Sequence, residues 1–349
     1  MSPDAGTGDD AEVQAAKRLV WDLWSPIRVV GGGSFVTPDP GRYAGDVAFH
    51  GPAPIGAVVG RDALFERVHR PLALAFPTVV RVAQVFLGGR FDGALWVAET
   101  GHLVGRPTAP WCRIPPDRVD GPPQGDPAPV PVRYGEFHRV VDGRIVEVRC
   151  LYDVLGYAAA LGHRLLPPFA GRPEPPPGPV LDNGIALEPQ DPATSAETLR
   201  LVEDMLGGCN RLDERGLVSM GMAAYWHDDM RWYGPWGVGA THGFDEFQTD
   251  AQGPSVASFP DRRGGHHRAR IADGLTAAFT GWPSLRGTFR GEPFRGIQPT
   301  GGPIGQNIMD FYVRRDDRLH ENWVLIDLID FAAQCGVDLL ADFPEEDRP

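Results

Sequence analysis

The sequence predicts an α+β protein made of two copies of one unit, each with helices first and a curved antiparallel sheet after them. Three observations carry this. The chain repeats itself at nearly constant spacing, each repeat opens on a helical apolar pattern and continues as β-rich runs, and Gly 44 and Pro 35 in 349 residues supply the turns that short strands need.

The repeat is read residue by residue. Arg18-Leu19-Val20-Trp21-Asp22-Leu23 matches Arg200-Leu201-Val202-Glu203-Asp204-Met205, 182 residues on. Gly51-Pro52 matches Gly234-Pro235, Phe76-Pro77 matches Phe259-Pro260, and Pro110-Trp111-x-x-Ile114 matches Pro293-Phe294-x-x-Ile297, all at 183. Arg144-Ile145-Val146-Glu147 through Asp153 to Gly162 matches Arg318-Leu319-His320-Glu321 through Asp327 to Gly336 at 174, because the first copy carries a longer loop from Pro115 to Val132. The expected boundaries are a first domain over 1–164, a Pro-rich linker over 165–192 and a second domain over 193–349. In the linker Pro175-Pro176-Pro177 forbids helix. The pattern Thr194-x-x-Glu197 reads as a capping box opening the next helix.

The elements follow in parallel in the two copies. Helices are expected over Ala11 to Trp24 and Thr194 to Gly216, then aromatic strand segments over Val47 to His50 and Met230 to Tyr233, then second helices beginning near Asp62 and Asp245. Strands come next: Val79 to Leu87, Ala94 to Val104, Arg133 to Val141 and Ile145 to Tyr152, repeated as Leu275 to Thr280, Gly305 to Arg314 and Leu319 to Asp327. Asp142-Gly143 signals a hairpin, and short helices close each copy before Gly162 and Gly336.

Composition limits the function classes. A net charge of −13 disfavours a grip on nucleic acid or anionic membrane. Cys112, Cys150, Cys209 and Cys335 are too scattered for a disulfide framework or zinc knuckle. No apolar run approaches the roughly 18 residues of a spanning helix, and the acidic start Met1 to Glu12 is unlike a signal peptide, so a cytoplasmic protein is expected. The tail Glu345-Glu346-Asp347 reads as a solvated end.

Candidate chemistry centres on the last strand. Alternation puts Glu321, Trp323, Leu325 and Asp327 on one face and Asn322, Val324 and Ile326 on the other. A carboxylate among aromatic neighbours loses hydration and titrates nearer neutrality, which makes Asp327 the first acid/base candidate; the alternative is that it caps the following helix. Asp153 is its counterpart, but Arg149 in place of Trp323 would hold Asp153 ionised, so the second copy is favoured. Trp232, Tyr233, Trp236 and Tyr312, with Glu321 and Trp323, are candidate substrate-binding residues. Adjacent His266-His267 face opposite ways on a strand, and no histidine has a second ligand at metal spacing, so no metal is expected. Gly237-x-Gly239-x-x-x-Gly243 does not fit a dinucleotide fingerprint, nor Gly31-Gly32-Gly33-Ser34 a phosphate loop.

The second half resembles the SnoaL-like polyketide cyclases of the nuclear-transport-factor-2-like superfamily. The matching pieces are Trp232-Tyr233-Gly234-Pro235, His242-Gly243-Phe244, Phe259-Pro260-Asp261, Ala272-Asp273-Gly274, Gly287-Thr288-Phe289-x-Gly291, Gly296-Ile297-x-Pro299-Thr300-Gly301 and Glu321-x-Trp323-x-x-x-Asp327. The first half resembles a diverged copy. The resemblance implies two tandem cone-shaped domains, a deep apolar cup, no metal or organic cofactor, and an acid/base aspartate on the last strand for intramolecular aldol ring closure, here Asp327. Phe289 stands where related sequences often carry histidine, which leaves His242 as the nearest substitute. The leading expectation is a cofactor-independent acid/base cyclase, isomerase or lyase acting on a small hydrophobic carbonyl compound, with Asp327, His242 and Asp153 as its catalytic set. The alternative is a non-catalytic carrier of a small hydrophobic molecule. A third reading has the two copies forming an intramolecular pseudo-dimer, with further homo-oligomerisation open.

Overall fold

The computed structural model describes residues 11–28, 33–117, 128–167, 171–181 and 183–343. The Gly31-Gly32 pair, much of the Pro115 to Val132 loop and the acidic tail lie outside them.

The first half runs α1 (Ala11–Leu23), β1 (Gly33–Ser34), β2 (Tyr43–His50), β3 (Ala57–Val59), α2 (Arg61–Leu64), a π turn over Phe65–His69, α3 (Arg70–Ala75), β4 (Thr78–Phe91), β5 (Ala94–Gly105), β6 (Val130–Val141), β7 (Arg144–Tyr152) and α4 (Val154–Ala160). The second runs α5 (Pro192–Cys209), β8 (Trp226–Tyr233), β9 (Ala240–His242), α6 (Phe244–Glu246), a π turn over Phe247–Gln252, α7 (Gly253–Ser258), β10 (Arg263–Gly264), β11 (His267–Asp273), β12 (Thr276–Thr288), β13 (Pro303–Arg315), β14 (Arg318–Ile326) and α8 (Leu328–Gln334). Helix α1 forms because Val13, Ala16, Val20 and Leu23 recur on one buried face. Helix α5 opens earlier than the capping-box reading placed it. Asp191 is the cap, taking the Thr194 N–H at 2.9 Å, and Pro192 fills the first turn, where a missing N–H costs nothing.

Each half builds a seven-stranded sheet, in the order β1-β4-β5-β6-β7-β2-β3 and β10-β12-β13-β14-β8-β9, with β11 also paired to β12. The expectation of purely antiparallel sheets needs one correction. β2 pairs with β7, and β8 with β14, in parallel, because a helical segment and a long meander separate each pair in the chain.

The two sheets pack back to back. Phe137 and Phe311, equivalent residues at the 174 offset, meet with ring centroids 5.6 Å apart. Around them Val85, Leu87, Ala98 and Leu151 of one sheet face Ile271, Met309, Trp323 and Leu325 of the other. A buried Lys17–Asp273 ion pair of 2.7 Å also joins the halves. Gly135 lies in this seam, where an added Cβ would sit 3.1 Å from Leu325 and 3.2 Å from the Met309 sulfur. Gly135→Val is therefore expected to overpack the seam and cost about 1–3 kcal/mol in urea unfolding; an unchanged midpoint would show that the sheets can separate at no cost.

The linker is extended, as its prolines require, and threads along this seam. Gly184 and Ala186 bond to Phe86 on β4, Arg172 bonds to Ala240 on β9, and Pro177 accepts the Trp323 indole N–H at 3.0 Å. No helix among the described residues is long and apolar enough to cross a membrane.

Candidate active site

In the second half, the face of the sheet turned away from the seam curves beneath α5 and the α6–α7 segment and encloses about 190 Å³ of free space. Alternation along β13 sends Met309, Phe311 and Val313 to the seam and Ile308, Asp310 and Tyr312 into the cup; along β14 it sends Trp323 and Leu325 to the seam and Asn322, Val324 and Ile326 into the cup. Trp226 and Trp232 from β8, Phe247 from the π turn, and Leu206 and Cys209 from α5 complete an apolar wall. Trp232 lies 5.9 Å from Phe247, and Trp226 lies 6.2 Å from Tyr312.

One carboxylate faces this space. Asp310 stands between Phe279 of β12 and Val324 of β14 in the sheet register, with the polar side chains of Asn322 and Tyr312 as its neighbours. Burial pushes its pKa up to about 7, and its polar neighbours Asn322 and Tyr312 only partly oppose this. Tyr312 is pushed up as well, by burial and then by the neighbouring carboxylate, so it stays protonated.

The equivalent place in the first half holds a cluster of buried charged side chains. Glu136 takes the place of Asp310, and Arg81 lies where the second half has Gly264. Arg81 bonds Glu99 at 3.0 Å and Glu136 at 2.8 Å, while Arg28 grips Glu99 through both oxygens at 3.0 and 2.6 Å. Tyr134 also donates to Glu99, and its ring lies under the Arg81 guanidinium at 3.8 Å. Burial alone would raise Glu99, but Arg81 and Arg28 outweigh it and hold the carboxyl at about 2. Charge fixed in this way is spent on structure, whereas Asp310 has no cation against it among the described residues.

The nine residues singled out from the sequence divide accordingly. Trp232 and Tyr312 line the cup. Trp323 and Tyr233 lie in the seam with rings 5.3 Å apart, and Glu321, on the same face, accepts the Val180 N–H of the linker at 3.1 Å. The face chosen as catalytic is thus the one that joins the two sheets. It looked like a pocket lining because a sheet packed on both sides carries aromatics on both faces. His242 sits on β9 outside the cup, contacting Glu174, with Arg231 3.1 Å from its Nδ1.

Asp327 and Asp153 form a reciprocal clamp outside the cup. Each caps its closing helix: Asp327 accepts the Asp330 N–H at 3.0 Å and Asp153 the Gly156 N–H at 2.9 Å. The second oxygen of each reaches into the other half, Asp327 to the Ala53 N–H at 3.0 Å and Asp153 to the Trp236 N–H at 2.8 Å. Ala53 and Trp236 are themselves equivalent, 183 residues apart. Trp236 therefore enters through its backbone. Burial raises both carboxyls, Asp327 to about 7. Losing a cap and a buried inter-half bond together makes Asp327→Ala expected to cost about 2–3 kcal/mol in urea unfolding; a loss below about 0.5 kcal/mol would remove the clamp from the account.

Asp310 left one signal in the sequence. It is the one acidic residue of β13, and Glu136 repeats it in the first copy. Among the described residues no group of three or more His, Cys, Asp or Glu could hold a metal ion.

Residues 218–335 match the model of the family described as SnoaL-like polyketide cyclase. Solved structures similar to this chain include a candidate SnoaL-like polyketide cyclase from Jannaschia sp. CCS1, 15% identical with a TM-score of 0.35 over 45% of this chain and 99% of that one. AclR, a candidate hydroxylase from Streptomyces galilaeus, is 21% identical with a TM-score of 0.34, over 43% of this chain and 89% of its own. IdmH, a candidate polyketide cyclase from Streptomyces antibioticus, is 23% identical with a TM-score of 0.31, over 39% of this chain and 98% of its own. No curated protein matches the chain. Most of the cup is built from residues within this matched segment, which is what is similar to the SnoaL-like polyketide cyclase family.

Proposed function

We propose that the second half is an acid/base enzyme acting on a small apolar carbonyl compound, with Asp310 rather than Asp327 as the proton-transfer group. The observation that carries this is a carboxylate without a cation partner, titrating near 7, at the wall of an aromatic cup. The ionised Asp310 takes a proton from a carbon beside a carbonyl, and Asn322 and Tyr312 keep the carboxylate aimed. Ring closure by aldol addition, or isomerisation, completes the reaction when the proton returns. The family match supports cyclase-like chemistry, and a fold shared by many activities leaves the reaction to the site.

The test uses 2-tetralone, a flat bicyclic ketone with acidic α-hydrogens. In deuterated buffer the protein should speed α-hydrogen exchange above background, as followed by proton NMR. Bound 2-tetralone with no accelerated exchange would instead favour a carrier.

A further inference from the structure

The polar groups of the cup do not all serve the Asp310 end. Most are engaged by the protein: Asn210 donates to the Gly264 carbonyl at 3.1 Å and accepts the Gly264 N–H at 2.9 Å, and Arg262 donates to Ser255 at 2.7 Å. Gln306 and His267 are different. Neither side chain makes a hydrogen bond to the protein among the described residues, His267 Nδ1 is buried without a partner, Gln306 is only 3% exposed, and both line the cup. A buried amide left without partners costs about 1–3 kcal/mol, so its presence calls for a ligand that completes it.

Their placement is as informative as their lack of partners. Gln306 lies on the same strand and face as Asp310, four residues away, or roughly 13 Å along β13. His267 lies on β11, across from Gly281, which pairs with Ile308 between Gln306 and Asp310. Its ring packs edge-on to Phe279 at 5.2 Å, and burial, then Arg270, lowers its pKa to about 4, so it is a neutral imidazole at neutral pH. By sheet register the first cup has Val132 at the Gln306 position and Ala83 at that of His267.

We infer that Gln306 and His267 form a second polar pole of the cup, which selects ligands with a flat apolar body and a hydrogen-bonding oxygen at the end remote from the reacting carbon. This rests on the cup being the binding site, as in the proposed function, but not on Asp310 doing chemistry there. The amide offers both a donor and an acceptor, and the imidazole one of each, so a carbonyl or hydroxyl is satisfied without a charge. A ligand lacking that oxygen leaves both groups unpaired, which is the basis of strong discrimination.

Binding, not turnover, is the test. Quenching of tryptophan fluorescence is titrated with 2-naphthol and with 2,6-dihydroxynaphthalene, which adds a hydroxyl at the far end, on the full chain carrying Asp310→Asn so that no reaction intervenes. The diol should bind at least tenfold more tightly than 2-naphthol. Gln306→Leu with His267→Phe should erase that difference and leave 2-naphthol affinity within threefold, while Gln306→Asn alone keeps part of it. A diol preference that survives the double substitution, or no preference at the outset, overturns the inference. Equal weakening of both probes overturns it too, since that marks a collapsed cup. Failure of 2-tetralone exchange with the diol preference intact would count only against the proposed chemistry.

Discussion

Asp310→Asn is expected to cut α-hydrogen exchange on 2-tetralone by about 10²–10⁴-fold, the usual worth of a positioned general base. The substitution keeps the shape of the side chain and its contacts with Asn322 and Tyr312 but removes the proton acceptor. Asp327→Asn is expected to stay within about threefold of the parent, because that carboxylate lies outside the cup. The reverse pattern would return the chemistry to the last strand. The base form of Asp310 accumulates as pH rises through its value of about 7, so exchange should rise through the same range and then level off. Stability should move the other way. The folded-state pKa lies above the unfolded value of 3.8, so the folded protein binds more protons than the unfolded chain between these limits. The stability linked to this proton is complete below about pH 4 and is lost as pH rises to about 7. Asp310→Asn should therefore be more stable than the parent above pH 7, by up to roughly 4 kcal/mol, and nearly equal to it at pH 4. A catalytic loss with no such stability gain would mean that Asp310 is not desolvated.

Arg81→Met is expected to give the largest stability loss in the molecule, about 3–5 kcal/mol in urea unfolding, because it leaves Glu99 and Glu136 buried against fewer cations. Adding Glu136→Leu should recover half or more of the loss, since Glu99 retains Arg28. That recovery separates a stranded charge from a simple loss of packing: if the double variant is no better than the single, the Arg81 stem and not its charge was holding the first cup together. Exchange on 2-tetralone per folded molecule should not change, because the first half lines none of the second cup.

The repeat, its offsets and the Pro-rich stretch between the copies were legible in the sequence because they depend on order along the chain. So were the helix-first layout and the Asp142-Gly143 turn, which has the positive φ at both positions that such a hairpin requires. The two faces of β14 were separated correctly by alternation, but which one pointed inward was not. Alternation is symmetric, and only a contrast of polarity breaks the tie. Here there is almost none, because one face packs on a second sheet and the other lines an apolar cup. Seam aromatics such as Trp323 and cup aromatics such as Trp232 read alike as residues.

Asp310 illustrates the same limit. Its type and its echo at Glu136 were visible, but not what stood opposite it. Glu136 faces Arg81, some 50 residues earlier in the chain, and Asp310 faces open space because Gly264 occupies that place. Local sequence therefore determined the elements, their repetition and the supply of titratable groups. Which carboxylates were neutralised by a cation, which were used as caps across the seam, and which one was left in an apolar cavity came from contacts between residues far apart in the chain, and only the tertiary structure could decide them.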